Sequence, residues 1–173
     1  MSSEDRLFAD LAALNIDWQL VEHEAVFTVE ESAKQVRDIP GAHTKNLFLK
    51  DAGGKFWLVT VPAEMRVDLK ALPQAIECKR VSFASAEEML SVIGVTPGSV
   101  TPLASIYDTA GLVTIALDET LVRSDRINVH PLRNTATIGL SPSDLIRLLR
   151  QWRHDPVIAT IPPKDATPNL ERF

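Results

Sequence analysis

Apolar residues in this chain recur first at helical spacing and then at strand spacing. Leu7, Phe8, Leu11 and Leu14 fall on one helix face. Ser2 or Ser3 stands where a cap is needed, and Glu4 and Asp5 suit the positive end of the helix dipole. Asn15 is the predicted stop. From Asp17 to Glu22 the pattern alternates, with Trp18, Leu20 and Val21 as packing positions, and predicts a strand leading to His23. Thr28-Val29-Glu30-Glu31 has capping-box spacing; it opens a helix through Ala33 and Val36 that Pro40-Gly41 ends.

Two apolar runs, Leu47-Phe48-Leu49 and Phe56-Trp57-Leu58-Val59, flank Asp51-Ala52-Gly53-Gly54 and predict a hairpin. Val67 to Ile76 predicts a short helix interrupted by Pro73, and Arg80 to Ala84 a short strand. Ser85 and Glu88 form a second capping box, Met89, Leu90 and Ile93 give that helix its inner face, and Gly94 fits the left-handed position beyond its end. Strands are predicted over Ser105 to Tyr107, Leu112 to Leu117, Arg126 to His130 and Thr135 to Ile138. Ser141-Pro142 starts a last helix whose apolar face is Leu145, Ile146, Leu148, Leu149 and Trp152. Pro156, Pro162, Pro163 and Pro168 break periodicity after that. One domain over residues 1–154 with a Pro-rich, extended segment over 155–173 is therefore expected. Strands outnumber helices, so the fold class is α+β: a mixed, mostly antiparallel, barrel-like sheet with helices around it.

Composition narrows the function. The 173 residues are 45% hydrophobic and 24% charged, with a formal net charge of -5. That balance excludes a general DNA-coating protein, whose affinity rests on a broad basic surface, and leaves room for a local patch gripping one end of an RNA. Arg133, Arg147, Arg150 and Arg153 are the candidate stripe for such a patch. A single cysteine, Cys78, rules out an intramolecular disulfide and zinc-finger spacing, and is expected to be a small buried thiol. No signal-like leader or membrane-length apolar run is present, so a cytoplasmic protein without a membrane partner is expected.

Two segments carry candidate chemistry. Thr44-Lys45-Asn46 sets a cation and an amide at the start of a strand. Gly98-Ser99-Val100-Thr101-Pro102 is a small-residue loop whose backbone N–H groups can hold an anion or a developing oxyanion, and a side chain at Gly98 would block close backbone approach or demand a forbidden φ. Together they point to a site for a phosphate-bearing ester. There is no serine–histidine–acid order and no metal-ligand cluster, so neither metal nor cofactor is expected, and a mechanism without a protein nucleophile is favoured. Strand alternation places Asn46 on the face opposite Lys45.

Four segments resemble the YbaK-like aminoacyl-tRNA deacylase family, the editing domain associated with prolyl-tRNA synthetase. They are His23 to Glu31, Thr44 to Leu49, Gly94 to Pro102 with its Gly98-x-x-x-Pro102 loop, and Arg126 to Pro131 followed by Asn134 to Thr137. With no room in this length for a fused synthetase, the free-standing type is expected. The resemblance implies a trans-editing hydrolase, a carboxylic ester hydrolase that deacylates Ala-tRNA(Pro), with the substrate 2′-hydroxyl assisting the attacking water. It further implies the acceptor end of tRNA(Pro) as partner, prolyl-tRNA synthetase as a possible second, and no DNA. On this basis Lys45, Gly98 and Ser99 are the catalytic candidates, and Asn46, His130, Thr28, Val100, Thr101 and Pro102 the substrate-binding ones. His23 and Thr28 are expected to shape the pocket wall, and Val29, Ala33 and Leu47 are candidates for its apolar lining. The alternatives are Cys-tRNA(Pro), a Ser- or Thr-charged tRNA, or a non-catalytic module that docks tRNA or a synthetase.

Overall fold

The computed structural model describes residues 2–25 and 38–164. The first helix, α1 (Ser3–Ala13), starts at a full capping box in which Ser2 and Asp5 bond reciprocally, and it buries Leu7 and Leu11. Asn15 ends it in the left-handed region at φ 54°. Strand β1 (Gln19–Glu22) follows, preceded by Trp18, whose ring meets that of Phe8 at 4.8 Å. The Thr28 capping box, with Val29 and Ala33, lies outside the described residues.

The centre of the fold is a hairpin, β2 (Ala42–Asp51) and β3 (Phe56–Pro62), whose register pairs Leu47 with Val59 and Leu49 with Trp57, as the two apolar runs predict. Asp51 organises the turn. Its carboxylate accepts from the N–H groups of Gly53 and Lys55 and from the Trp57 indole. Burial pushes that carboxyl up, yet these bonds outweigh it and hold it below the usual range.

Helix α2 (Leu72–Ile76) is shorter than the stretch from Val67 predicts, because Pro73 sits in its first turn, where a missing N–H costs nothing. Strand β4 (Val81–Phe83) and helix α3 (Ala86–Ile93) come next. The Ser85–Glu88 box forms, and Gly94 takes φ 66° beyond the helix end. Leu90, expected on the inner face, is 58% exposed.

One expected strand is absent. Ser105–Tyr107 belongs to a 3₁₀ segment, Pro102–Tyr107, started by Pro102 and by the Thr101 hydroxyl, which accepts from the Leu103 N–H. Four consecutive buried residues, Leu103 to Ile106, imitate a core strand in the sequence. The remaining elements are β5 (Val113–Asp118), α4 (Glu119–Val122), β6 (Ile127–Val129), β7 (Ala136–Leu140), α5 (Pro142–Gln151) and β8 (Val157–Ala159).

The sheet has eight strands in the order β1-β7-β6-β2-β3-β5-β8, with β4 also on β2. It is mixed: β1–β7, β2–β3, β2–β4 and β6–β7 are antiparallel, whereas β2–β6, β3–β5 and β5–β8 are parallel. Helices pack around it in an α+β fold. Strand β8 takes the sheet past residue 154, and Ile161 beyond it is buried with its N–H on the Asp118 carboxylate. The body of the fold thus includes the first part of the 155–173 segment.

Both faces of β2, β3 and β5 are covered. Phe48, Leu58, Ile115 and Leu117 join α1, α3 and α5 in the main core. Leu49, Trp57, Val59 and Ala116 form a second core with Leu72, Ile76 and Ile161. Burial on two faces explains the near-continuous apolar run of β3. Among the described residues no helix is long and apolar enough to cross a membrane.

Candidate active site

Strand β2 is shared along one edge by two partners that do not touch the same residues. Its start pairs with β6 through Ala42–Ile127 and His43–Asn128, and its end pairs with β4 through Leu49–Phe83 to Asp51–Val81. Between these ladders the strands diverge. A cavity of about 20 Å³ opens there, lined by His43, Thr44, Asn46, Asn128, Val129, His130 and Thr137. That is room for a water-sized group, and every lining residue but Val129 carries a polar side chain.

Lys45 stands on β2 beside this split, half-buried. No hydrogen bond or ion pair holds its ammonium among the described residues. Burial first, then the Arg66 guanidinium, draws it below the usual lysine range, against the opposing pull of the Glu64 carboxylate. Register puts its side chain on the same face as that of His43, which lies across from Asn128.

Asn46 faces the other way, as alternation predicts. Its Oδ1 accepts from the Thr60 hydroxyl at 2.6 Å, and its Nδ2 donates to the Val100 carbonyl at 3.0 Å. The residue therefore ties the Lys45 strand to the Gly98 loop. Gly98 and Ser99 lie in a single 3₁₀ turn, Pro97–Ser99, and are half-buried. Gly98 is in a right-handed turn and is not among the glycines with positive φ, so the expected forbidden φ is not the reason for a glycine here. The Ser99 N–H donates to the Thr96 carbonyl at 2.9 Å and is not free for an oxyanion, whereas the Gly98 N–H makes no such bond among the described residues and is one candidate donor of the loop. Val100, Thr101 and Pro102 are buried. Thr101 caps the following turn, so these three anchor the loop.

His130 lines the cavity. Its Nδ1 faces the Ala136 carbonyl at 3.3 Å, so that nitrogen donates and Nε2 is the acceptor of the neutral ring. Burial, aided by His23 and opposed by the Ala136 bond, holds its pKa below the usual imidazole value. His23 stands behind it, with Nδ1 on the Glu24 carbonyl and Nε2 2.9 Å from the Thr137 hydroxyl. Thr28 lies outside the described residues. His43, Asn128 and Thr137 were not singled out by sequence reasoning. The signal was there in the alternation His43–Lys45 and Asn128–His130, two polar pairs on strands that otherwise read as apolar.

The arginine stripe is spent elsewhere. Arg133 is bound by Glu4 and Glu22, Arg147 by Asp144, and Arg150 by Asp155, while Arg153 is exposed. Cys78 is half-buried against the Lys79 carbonyl, and burial followed by the Asp51 charge pushes its thiol up, consistent with an unreactive thiol.

Residues 23–148 match the model of the aminoacyl-tRNA editing domain. The chain belongs to that family. It is 40% identical over 153 residues to the prolyl-tRNA synthetase associated domain-containing protein 1 of Bos taurus, covering 86% of this chain and 89% of the relative. It is 34% identical over 151 residues to the prolyl-tRNA editing protein ProX of Acetoanaerobium sticklandii, covering 87% and 92%. A crystal structure of a candidate trans-editing enzyme for prolyl tRNA synthetase superposes with a TM-score of 0.71 at 21% identity, covering 95% of this chain and 99% of that one, and so shares the fold. The family match runs from just after β1 into α5 and therefore contains Lys45, the Gly98 loop and the split between β2 and β6.

Proposed function

We propose that this editing domain hydrolyses the ester of Ala-tRNA(Pro), releasing alanine and leaving the tRNA ready for recharging. The observation that carries the reading is the Lys45 ammonium, held by no hydrogen bond or ion pair among the described residues, beside a polar cleft on a strand fastened through Asn46 to the Gly98 loop. A cation with no direct ion pair among the described residues is available to the terminal ribose or its phosphate. The Gly98 N–H is offered to the carbonyl oxygen as it gains charge. The ester is already activated, so orienting a water is enough. The substrate's 2′-hydroxyl assists that water, and neutral His130 supplies an acceptor at Nε2. The acceptor end of tRNA(Pro) is the partner this chemistry needs, and prolyl-tRNA synthetase would be the natural source of the mischarged substrate.

The test is a panel of Ala-, Cys-, Ser- and Pro-tRNA(Pro) incubated with catalytic amounts of the protein. Multiple-turnover loss of alanine with proline spared is expected. Protection of every ester would mark a binding module, and loss of cysteine alone would move the substrate while keeping the site.

A further inference from the structure

We propose that Arg126 contacts a phosphodiester of the RNA chain leading to the reactive ester, an inference that rests on the editing function proposed above. Arg133, Arg147 and Arg150 are neutralised by carboxylates, and Arg66, Arg80 and Arg153 are exposed to solvent. Arg126 is different. It is half-buried, its Nε is fully covered without a partner, and no ion pair holds its guanidinium among the described residues. A half-buried charge without an ion pair is costly, and such groups persist where a ligand pairs the part that solvent can reach.

The chain keeps space for this side chain at two glycines. Gly41, at φ +106°, lies so close that an added Cβ would meet the Arg126 Cβ and Cγ at 3.0 Å. At Gly139 an added Cβ would stand 2.4 Å from Nε and 2.7 Å from Nη2. Gly41 is two residues before His43, and Gly139 is paired with Asn128. The neighbouring Asn128 Oδ1 is likewise buried without a partner. Strand alternation puts Arg126, Asn128 and His130 on one face, so Arg126 stands roughly 13 Å along the strand from the His130 end of the cleft, at about 3.3 Å per residue.

A guanidinium suits phosphate oxygens through paired N–H donors. On a chain of net charge -5, nonspecific attraction to RNA is weak, and one fixed cation beside the cleft matters more. A cation at the end of a row that finishes at the reacting centre would hold the strand that delivers the ester and leave Lys45 to the ester itself.

The experiment is equilibrium binding of uncharged tRNA(Pro) to wild type, Arg126→Gln and Arg126→Lys between about 50 and about 200 mM salt. Arg126→Gln is expected to bind roughly five- to tenfold more weakly, with a log–log salt slope shallower by about 0.7 to 0.9, the value of one phosphate contact. Arg126→Lys should keep most of the slope. A neutral methylphosphonate placed singly along the 3′ end should, at one position, reproduce the loss in wild type and add nothing in Arg126→Gln. Wild-type affinity and slope in Arg126→Gln would overturn the proposal, as would methylphosphonate losses that add to those of the variant at every position. Should the glutamine variant fail to fold, the same series run against Arg126→Met, which also lacks the charge, decides by the same additivity. Uncharged RNA involves no turnover, so a failed deacylation reading would appear separately, as an intact ester with normal binding.

Discussion

The Asn46 amide donates to the Val100 carbonyl at 3.0 Å and so ties the strand that carries Lys45 to the loop that carries Gly98. Asn46→Ala leaves Val100 O and the Thr60 hydroxyl without their partner. A cost of about 1–3 kcal/mol is expected in chemical denaturation, together with a drop in deacylation, because the loop loses its anchor. Thr60→Val added to Asn46→Ala should cost less than the two singles summed, since both act on one bonded group. Strict additivity would mean that Asn46 acts elsewhere.

Gly139 is required by its neighbours. Gly139→Ala would force a Cβ to within 2.4 Å of Arg126 Nε and 2.7 Å of Asn128 Oδ1, so a loss of about 1–3 kcal/mol is expected. Arg126→Ala in the same chain should restore part of it, leaving only the Asn128 contact. Thermal melting of the two variants checks this.

Asp108 and His154 hold the end of α5 to the start of β5. The His154 Nε2 lies 2.9 Å from Asp108 Oδ2 and its Nδ1 faces the Trp152 carbonyl, while Asp108 also accepts from the Leu112 and Val113 N–H groups. Both side chains are buried. Asp108→Ala orphans the Leu112 and Val113 N–H groups and takes the partner from His154 Nε2, and should cost about 3–5 kcal/mol, more than His154→Ala, which leaves fewer groups unpaired. Equal losses in urea unfolding would contradict the order.

Much of this was legible in the sequence, for identifiable reasons. Capping boxes at Ser2 and Ser85 and the Gly-Gly turn are local, so α1, α3 and the hairpin follow from neighbours in the chain. Alternation alone placed Asn46 opposite Lys45. Long-range parallel pairing was not legible. The β5–β8 ladder joins residues about forty apart, and prolines on either side of Val157–Ala159 disguise a three-residue strand. Ser105 was misread because burial on every side of a 3₁₀ turn has no period. The split between β2 and β6 was invisible for the same reason as β8: it depends on which strands meet.

Protonation should shape the pH profile. Lys45 is drawn below the usual value of about 10.4, so the alkaline limb of activity should fall below that pH. His130 is held below about 6.5, and the acid limb should lie beneath it. Stability follows the same sign. Between the folded and unfolded values of His130 the unfolded chain binds more protons, so stability is full above about 6.5 and falls as pH drops through that window. His130→Asn should flatten this component in pH-dependent melting. An unchanged slope would remove His130 from the ledger.

The most direct measurement is single-turnover deacylation of Ala-tRNA(Pro) by wild type and Lys45→Ala, with melting temperature recorded for both. A rate at least a hundredfold lower, roughly 2.7 kcal/mol of transition-state stabilisation, at an unchanged melting temperature is the expected result. An equal rate in a folded Lys45→Ala protein would contradict the assignment of Lys45 and, with it, the site.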